Sequence, residues 1–384
     1  MLESRRHFLR GLAAAGGILL APWSLHAVFS SLRTAGTDNP PHEQTRLMMG
    51  TLVSISTRSP LSQQTAEAVE AAFAEASRLE SLLTRHVSSA PLGLLNRQGA
   101  IRDIPPELRQ VLSLSFRIST ATKNAFNPLA VTVAEAKRQG VRGNGLKRIA
   151  ELSKPEALRL DDSGLRLESS ELLCSLDGIA KGFIVDAISG ILNRHGVSDH
   201  LINAGGDIFA AGSPGRQRPW TVGIMNSDGR IARVVPLCGM ALATSGNSES
   251  LARGYEHILP AHFSAPDARR LFSASAMAAN AALADAYSTA LFALDPAQAE
   301  KTAARGGSGI YPDASLKRFS HKHALRCKNP PAVHVGGFSF QNVCTAGPAY
   351  GGPAYFSTRR STASLNTRRS SSLIGRPRLI RHSG

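Results

Sequence analysis

Cysteine is scarce in this chain of 384 residues: Cys174, Cys238, Cys327 and Cys344 form no CxxC pair. That excludes the common zinc modules. Cys174 and Cys238 lie in apolar, strand-like runs, which favours buried thiols over a bridge between them. Long apolar stretches are missing as well. No run reaches the roughly 20 residues that a spanning helix needs, so no transmembrane span is expected in the mature chain. Acidic residues are absent from 314–384, which holds twelve Lys and Arg. That segment carries most of the formal net charge of +16, and 1–27 adds +2, so the body between them is nearly neutral. The basic overall charge therefore does not imply a nucleic-acid partner, and none is expected.

With 42 % apolar and 19 % charged residues, the chain has ordinary globular composition and room for a large core. It opens as an export address. Ser4-Arg5-Arg6-His7-Phe8-Leu9-Arg10 is a twin-arginine pattern, followed by a short apolar run and a small-residue exit at Leu25-His26-Ala27. Residues 1–27 thus read as a twin-arginine signal peptide, and the mature protein as periplasmic. A polar linker is expected over 28–46.

Leu52-Val53-Ser54-Ile55-Ser56 alternates as a strand does. Val69, Phe73, Ala76, Leu79 and Leu83 recur at three and four, the spacing of an amphipathic helix lying on a sheet. A second helix fits 106–121. Short strands around 157–167 turn at Asp161-Asp162-Ser163-Gly164. A helix over 182–195 stops at Gly196, and the strand Leu201-Ile202 leads into Asn203-Ala204-Gly205-Gly206-Asp207. Residues 220–224 and 234–243 read as strands, and 278–294 as an Ala-rich helix ended by Asp295-Pro296. Strands grouped between separated helices predict an α+β fold with mixed or antiparallel sheets flanked by helices, in a domain over 47–312. Residues 313–384 lack periodicity and read as a basic, disordered tail. A basic anchor for an anionic surface and a shifted reading frame are alternatives that composition leaves open.

Three segments look chemical. In Leu176-Asp177-Gly178-Ile179-Ala180-Lys181-Gly182 two glycines let backbone approach a ligand, and a lysine stands at a helix N-terminus, where the dipole favours anions. The glycine spacing matches neither a Walker A loop nor GxGxxG, and an ordinary helix start is compatible with it. Gly205-Gly206 suits either a tight turn or a ligand loop. On a helix Asp285 and Thr289 share a face, so carboxylate and hydroxyl could serve one hard cation; Thr289 bonding back to its own helix beside a solvated Asp285 is the other possibility.

Met49-Gly50-Thr51, Ala125-Phe126-Asn127-Pro128, Gly178-Ile179-Ala180-Lys181-Gly182 with Asp186, Asn203-Ala204-Gly205-Gly206-Asp207, Ala243-Thr244-Ser245-Gly246, His257-Ile258 and Ala284-Asp285-Ala286-Tyr287-Ser288-Thr289-Ala290-Leu291 follow one another in the order seen in one family. Over roughly 47–294 the chain resembles the ApbE family of FAD:protein FMN transferases, including the branch associated with nitrous-oxide reduction. The resemblance implies a periplasmic, Mg²⁺-dependent enzyme with an ApbE-like fold. Such an enzyme splits the FAD pyrophosphate, attaches FMN through a phosphoester to a Thr or Ser of an acceptor protein, and releases AMP. By position, Asp285, Thr289 and the Gly178 carbonyl would hold Mg²⁺. Met49, Ala125, Phe126 and Asn127 would contact FAD, with Ser175, Asp177, Gly205 and Gly206 in the same nucleotide site. Lys181 would lie near the phosphates, and His257 would be the base that takes the acceptor hydroxyl proton.

The chain also departs from the family pattern. After His257 it runs Ile258-Leu259-Pro260-Ala261-His262-Phe263, without the Asp and Gly usual there. Ser175 replaces an Asp six before the lysine, Asp177 stands four before it, Asn127 replaces an Asp before Pro128, and Arg85-His86 fills the place of a flavin-stacking aromatic. Two further functions stay open on these grounds: an FAD-binding carrier without transfer, and a Mg²⁺-dependent FAD pyrophosphatase that uses water as acceptor.

Overall fold

Alternating burial along the edge strand His42–Met48 (β1), paired with the more deeply buried Thr51–Thr57 (β2), builds the edge of the main sheet. The two strands are joined by Met49 (φ 53°) and Gly50 (φ 70°), a two-residue turn of the primed kind that follows strand twist. The structure, a computed structural model, describes residues 42–58, 62–214, 219–226, 229–247, 256–261, 271–306, 310–312, 333–335 and 338–340. Five more strands complete this sheet: His200–Ala204 (β6), Asp207–Ala211 (β7), Met240–Gly246 (β10), Ser273–Ala278 (β11) and Ile310–Pro312 (β12). The order is β1-β2-β6-β7-β10-β11-β12, and each neighbouring pair is antiparallel. Ala100–Ile101 (β3), Leu158–Asp161 (β4) and Gly164–Leu167 (β5) form a small antiparallel sheet, while Trp220–Met225 (β8) pairs with Ile231–Leu237 (β9).

The period of two divides the main sheet into two faces. Ala241, Ala243, Ala274 and Ala276 join the large core with the helices Gln63–Leu83 (α1), Ala180–Arg194 (α6) and Ala281–Ala293 (α7). Ile208, Ala210, Leu242 and Met277 instead meet Trp220, Val222, Ile224, Val235 and Leu237 of the β8–β9 hairpin in a second cluster. Helix packing runs from α1 to α6 to α7, and α7 lies on β10 and β11. Alanine on both sides lets α7 approach the sheet closely.

At the α6–α7 crossing, a Cβ on Gly182 would stand 2.2 Å from the Ala281 carbonyl oxygen. Asp186 of α6 accepts the Ala281 and Ala282 N–H groups at 2.7 and 2.9 Å, and Asn280 caps α7 by accepting Leu283 N–H at 2.9 Å. Burial pushes the Asp186 carboxyl up to about 6, although these two N–H groups pull the other way.

The α+β expectation holds, and the sheets are antiparallel among the described strands. Other expectations change. β1 starts at His42, inside the stretch expected as linker: it is an edge strand whose Glu43, Thr45 and Leu47 face solvent, so its polar residues hid it. The run 234–243 is two strands, broken at Cys238-Gly239, where Gly239 takes φ 64°. This turn exposes Cys238, against the buried-thiol expectation, whereas Cys174 is buried, and both are free. The last helix starts at Ala281 rather than 278, because β11 occupies residues through Ala278. Pro91–Gln98 (α2), Ala130–Arg138 (α4) and Gly143–Leu152 (α5) are helices not expected from the sequence, whereas Pro106–Ala121 (α3) is where spacing placed it. Pro296–Gly306 (α8) follows the Asp295-Pro296 stop. The stretch expected as a signal peptide (1–27), residues 28–41 and most of 313–384 lie outside the described residues; within the latter, Val333–Val335 (β13) pairs with Phe338–Phe340 (β14).

The helix crossing gives a direct test. Gly182→Ala forces the Ala281 backbone to move and should cost about 1–3 kcal/mol in chemical denaturation. Gly190→Ala, in the same helix but meeting only the Arg194 side chain at 3.5 Å, should be neutral or stabilising.

Candidate active site

The β1–β2 and β6–β7 turns lie side by side at one end of the main sheet, because Val53 pairs with Ala204. Gly205 (φ 64°) and Gly206 (φ 103°) make the second turn, with the Asn203 side chain accepting Gly206 N–H at 2.9 Å. A Cβ on Gly205 would come within 2.5 Å of the Thr51 hydroxyl oxygen, so only glycine permits this approach. Met49 holds its left-handed backbone beside it, its N–H donated to Glu80 of α1 at 2.8 Å.

These turns form one wall of a cleft of about 1000 Å³. Every residue that the sequence nominated lines it: Met49, Ala125, Phe126, Asn127, Ser175, Asp177, Gly178, Lys181, Gly205, Gly206, His257, Asp285 and Thr289. Some side chains among them are engaged inside the protein. Asn127 donates to the Ser153 carbonyl at 2.7 Å and accepts Leu129 N–H at 2.9 Å, holding the loop that presents Ala125 and Phe126. Ser175 accepts Asp177 N–H at 3.0 Å. Arg85, in the place of the expected aromatic, donates to Asp177 at 3.2 Å and lines the cleft through that pair.

At the floor, Asp285 is 3 % exposed and accepts Gly182 N–H at 3.0 Å. The free donor of the α6 N-terminus is thus taken by a carboxylate of α7. Burial, and then the neighbouring Asp207, push the Asp285 carboxyl up to about 8 against the pull of Lys181 and Gly182 N–H. Lys181 forms a short ion pair with Asp207, which is 1 % exposed. Burial disfavours the Lys181 cation, but the Asp207 and Asp285 carboxylates outweigh it and hold its pKa above the ordinary lysine value.

Thr289 lies one turn from Asp285, its hydroxyl 3.3 Å from that of Ser245, which in turn is 2.7 Å from the Ser288 hydroxyl. Gly178 packs against it so closely that a Cβ there would stand 3.0 Å from the Thr289 hydroxyl oxygen and 3.3 Å from Phe126. No three His, Cys, Asp or Glu side chains cluster as a metal site among the described residues. A cation here would instead draw on one carboxylate, one hydroxyl and one backbone carbonyl. That all-oxygen set suits a hard ion such as Mg²⁺, whose charge would favour the ionised Asp285 carboxylate that burial disfavours.

His257 is open to the cleft, on a segment tied down on both sides. Glu256 accepts Lys137 Nζ at 2.7 Å, and the Asn247 side chain both donates to the Ile258 carbonyl at 2.8 Å and accepts Ile258 N–H at 3.1 Å. Desolvation by the surrounding protein, and then the Lys181 charge, hold the imidazole pKa below the usual histidine value, leaving the ring neutral near pH 7. Sequence reasoning placed Asp207 in a motif but gave it no role, and missed Asn247, Lys137 and Glu80. Their partners lie 11 to 119 residues away, so no local pattern marks them.

The sequence profile of the ApbE family matches residues 49–310. Among curated relatives, the chain is 27 % identical over 306 residues to the FAD:protein FMN transferase of Rhodobacter capsulatus, covering 75 % of this chain and 56 % of that protein. It is 24 % identical over 154 residues to the FAD:protein FMN transferase of Klebsiella pneumoniae (strain 342), covering 38 % of this chain. The match spans 44 % of that relative's length, under half of it. The fold is similar to the apo flavinyl transferase ApbE of Pseudomonas stutzeri, with a TM-score of 0.61 and 22 % identity over 71 % of this chain and 90 % of that one.

The Lys181–Asp207 pair carries a testable cost. Lys181→Met strands the Asp207 carboxylate in the interior and should lower stability by on the order of 3 kcal/mol in denaturant melts. Lys181→Met with Asp207→Leu should recover most of that loss, since neither charge remains.

Proposed function

The chain belongs to the ApbE family, and from that membership and the geometry of the cleft we propose that it is an FAD:protein FMN transferase acting on a Thr or Ser hydroxyl of an acceptor protein. The observation that carries the reading is the convergence of Asp285, Thr289, Gly178, Lys181 and His257 on one cleft from three distant stretches of sequence. Asp285, Thr289 and the Gly178 carbonyl would hold Mg²⁺, whose chemistry is to neutralise charge on the pyrophosphate. Met49, Ala125, Phe126, Asn127, Ser175, Asp177, Gly205 and Gly206 bound the space for the nucleotide. Lys181, kept charged and aimed by Asp207, faces the phosphates.

The neutral His257 imidazole takes the proton of the acceptor hydroxyl. The hydroxyl oxygen then forms its bond to the FMN-side phosphorus, the bond from that phosphorus to the bridging oxygen breaks, and AMP leaves with that oxygen. The twin-arginine pattern before the domain supports export and a periplasmic site of action, with 1–27 removed and the family domain extending to about 312.

Incubating the full mature chain with FAD, Mg²⁺ and an acceptor peptide bearing a Thr or Ser site should add one FMN phosphoryl group to the peptide and release AMP. Both signals should disappear on chelation or with Asp285→Ala. Release of FMN and AMP without an adduct would mark a pyrophosphatase instead, and FAD bound without turnover would mark a carrier. Because the base works in its neutral form, kcat should fall only as pH drops through a value below 6.5, the ordinary histidine pKa. At saturating Mg²⁺, where Asp285 stays ionised across the range, an acidic limb centred above that value would remove His257 from the role.

A further inference from the structure

We propose that Asn247 is a positioning residue that sets His257 against the cation site, an inference that rests on the transferase reading for its catalytic consequence. β10 reaches the cleft as Ser245-Gly246, and Ser245 touches the Thr289 and Ser288 hydroxyls. Two residues on, Asn247 is 4 % exposed and grips both polar groups of the Ile258 peptide flank, donating to its carbonyl and accepting from its N–H. A side-chain amide bonded in this way replaces a strand neighbour and admits one register. One end of β10 therefore contacts the proposed metal hydroxyl and, through Asn247, the residue after the proposed base.

Two further tethers act on the same segment. Lys137 of α4 holds Glu256 at 2.7 Å, and Ala261 N–H donates to the carbonyl of Ala293 at 2.8 Å, on the helix that carries Asp285 and Thr289. Leu259-Pro260-Ala261 contains no Asp or Gly to shape a turn of its own. Its placement draws on groups outside the segment, and of the two side chains that reach it, Asn247 and Lys137, Asn247 is the buried one.

Asn247→Ala and Asn247→Asp in the full mature chain test this. Hydrogen exchange in 256–261, read by mass spectrometry, should accelerate about tenfold in Asn247→Ala while α6 and α7 keep their protection. Asn247→Asp, which keeps an acceptor for Ile258 N–H and loses the donor to its carbonyl, should fall between that variant and the parent. FAD affinity by flavin fluorescence should stay within about twofold, while kcat for peptide flavinylation falls about a hundredfold in Asn247→Ala, the scale of a misplaced reacting group. Asn247→Ala combined with His257→Ala should be no slower than His257→Ala alone, because one residue acts through the other. Unchanged exchange in 256–261, or losses that multiply in the double variant, would overturn the proposal. A parent protein that binds FAD but makes no adduct would sink the transferase reading alone, and the exchange measurement would still decide whether Asn247 places His257.

Discussion

Two aspartates, the buried Asp285 and the half-buried Asp186, reach across the α6–α7 crossing in opposite directions, and the cleft depends on that exchange. Asp186 of α6 closes the N-terminus of α7 by taking Ala281 and Ala282 N–H, while Asp285 of α7 takes Gly182 N–H at the N-terminus of α6. Each helix thereby supplies the anion that the other's dipole favours. The contact is possible because position 182 has no Cβ and α7 presents alanines. Loss of either carboxylate would leave buried N–H groups without acceptors and free the two helices to shift.

This clamp decides what the site can be. Asp285 spends one oxygen on Gly182, which orients the carboxylate and leaves it beside the Thr289 hydroxyl one turn away and the packed Gly178. With both ionised, Asp207 and Asp285 would outnumber the single Lys181 cation, and burial together with Asp207 raises Asp285 to about 8. A divalent cation relieves that imbalance and a neutral filler does not. The nearly neutral body of the chain adds no global field, so recognition of the proposed pyrophosphate substrate would rest on these local groups.

Legibility in the sequence followed the range of the interactions. The Asp285 and Thr289 pair was readable because helical spacing of four is local, and α3 was readable because its apolar face repeats at three and four. The two glycine turns were visible as turns, but their approach to Thr51 follows from the pairing of β2 with β6, about 150 residues apart in the chain. Short helices such as α2 and α4 gave no sustained period, and α5 buries none of its residues, so periodicity had little to report. β1 was misread because an edge strand with a solvated face looks like a polar linker. Asn247 carried no signal at all: its partner is the backbone of Ile258, and backbone has no sequence signature.

The α6–α7 clamp sets Asp285, Thr289 and Gly178 in place for the proposed hard-cation site in the cleft. Diffraction from crystals of the mature chain grown with FAD and Mn²⁺, recorded at the manganese edge, tests it most directly. An anomalous peak bounded by the Asp285, Thr289 and Gly178 oxygen donors and the FAD phosphates is expected. A peak elsewhere in the cleft, or FAD bound with no peak at those donors, would contradict it.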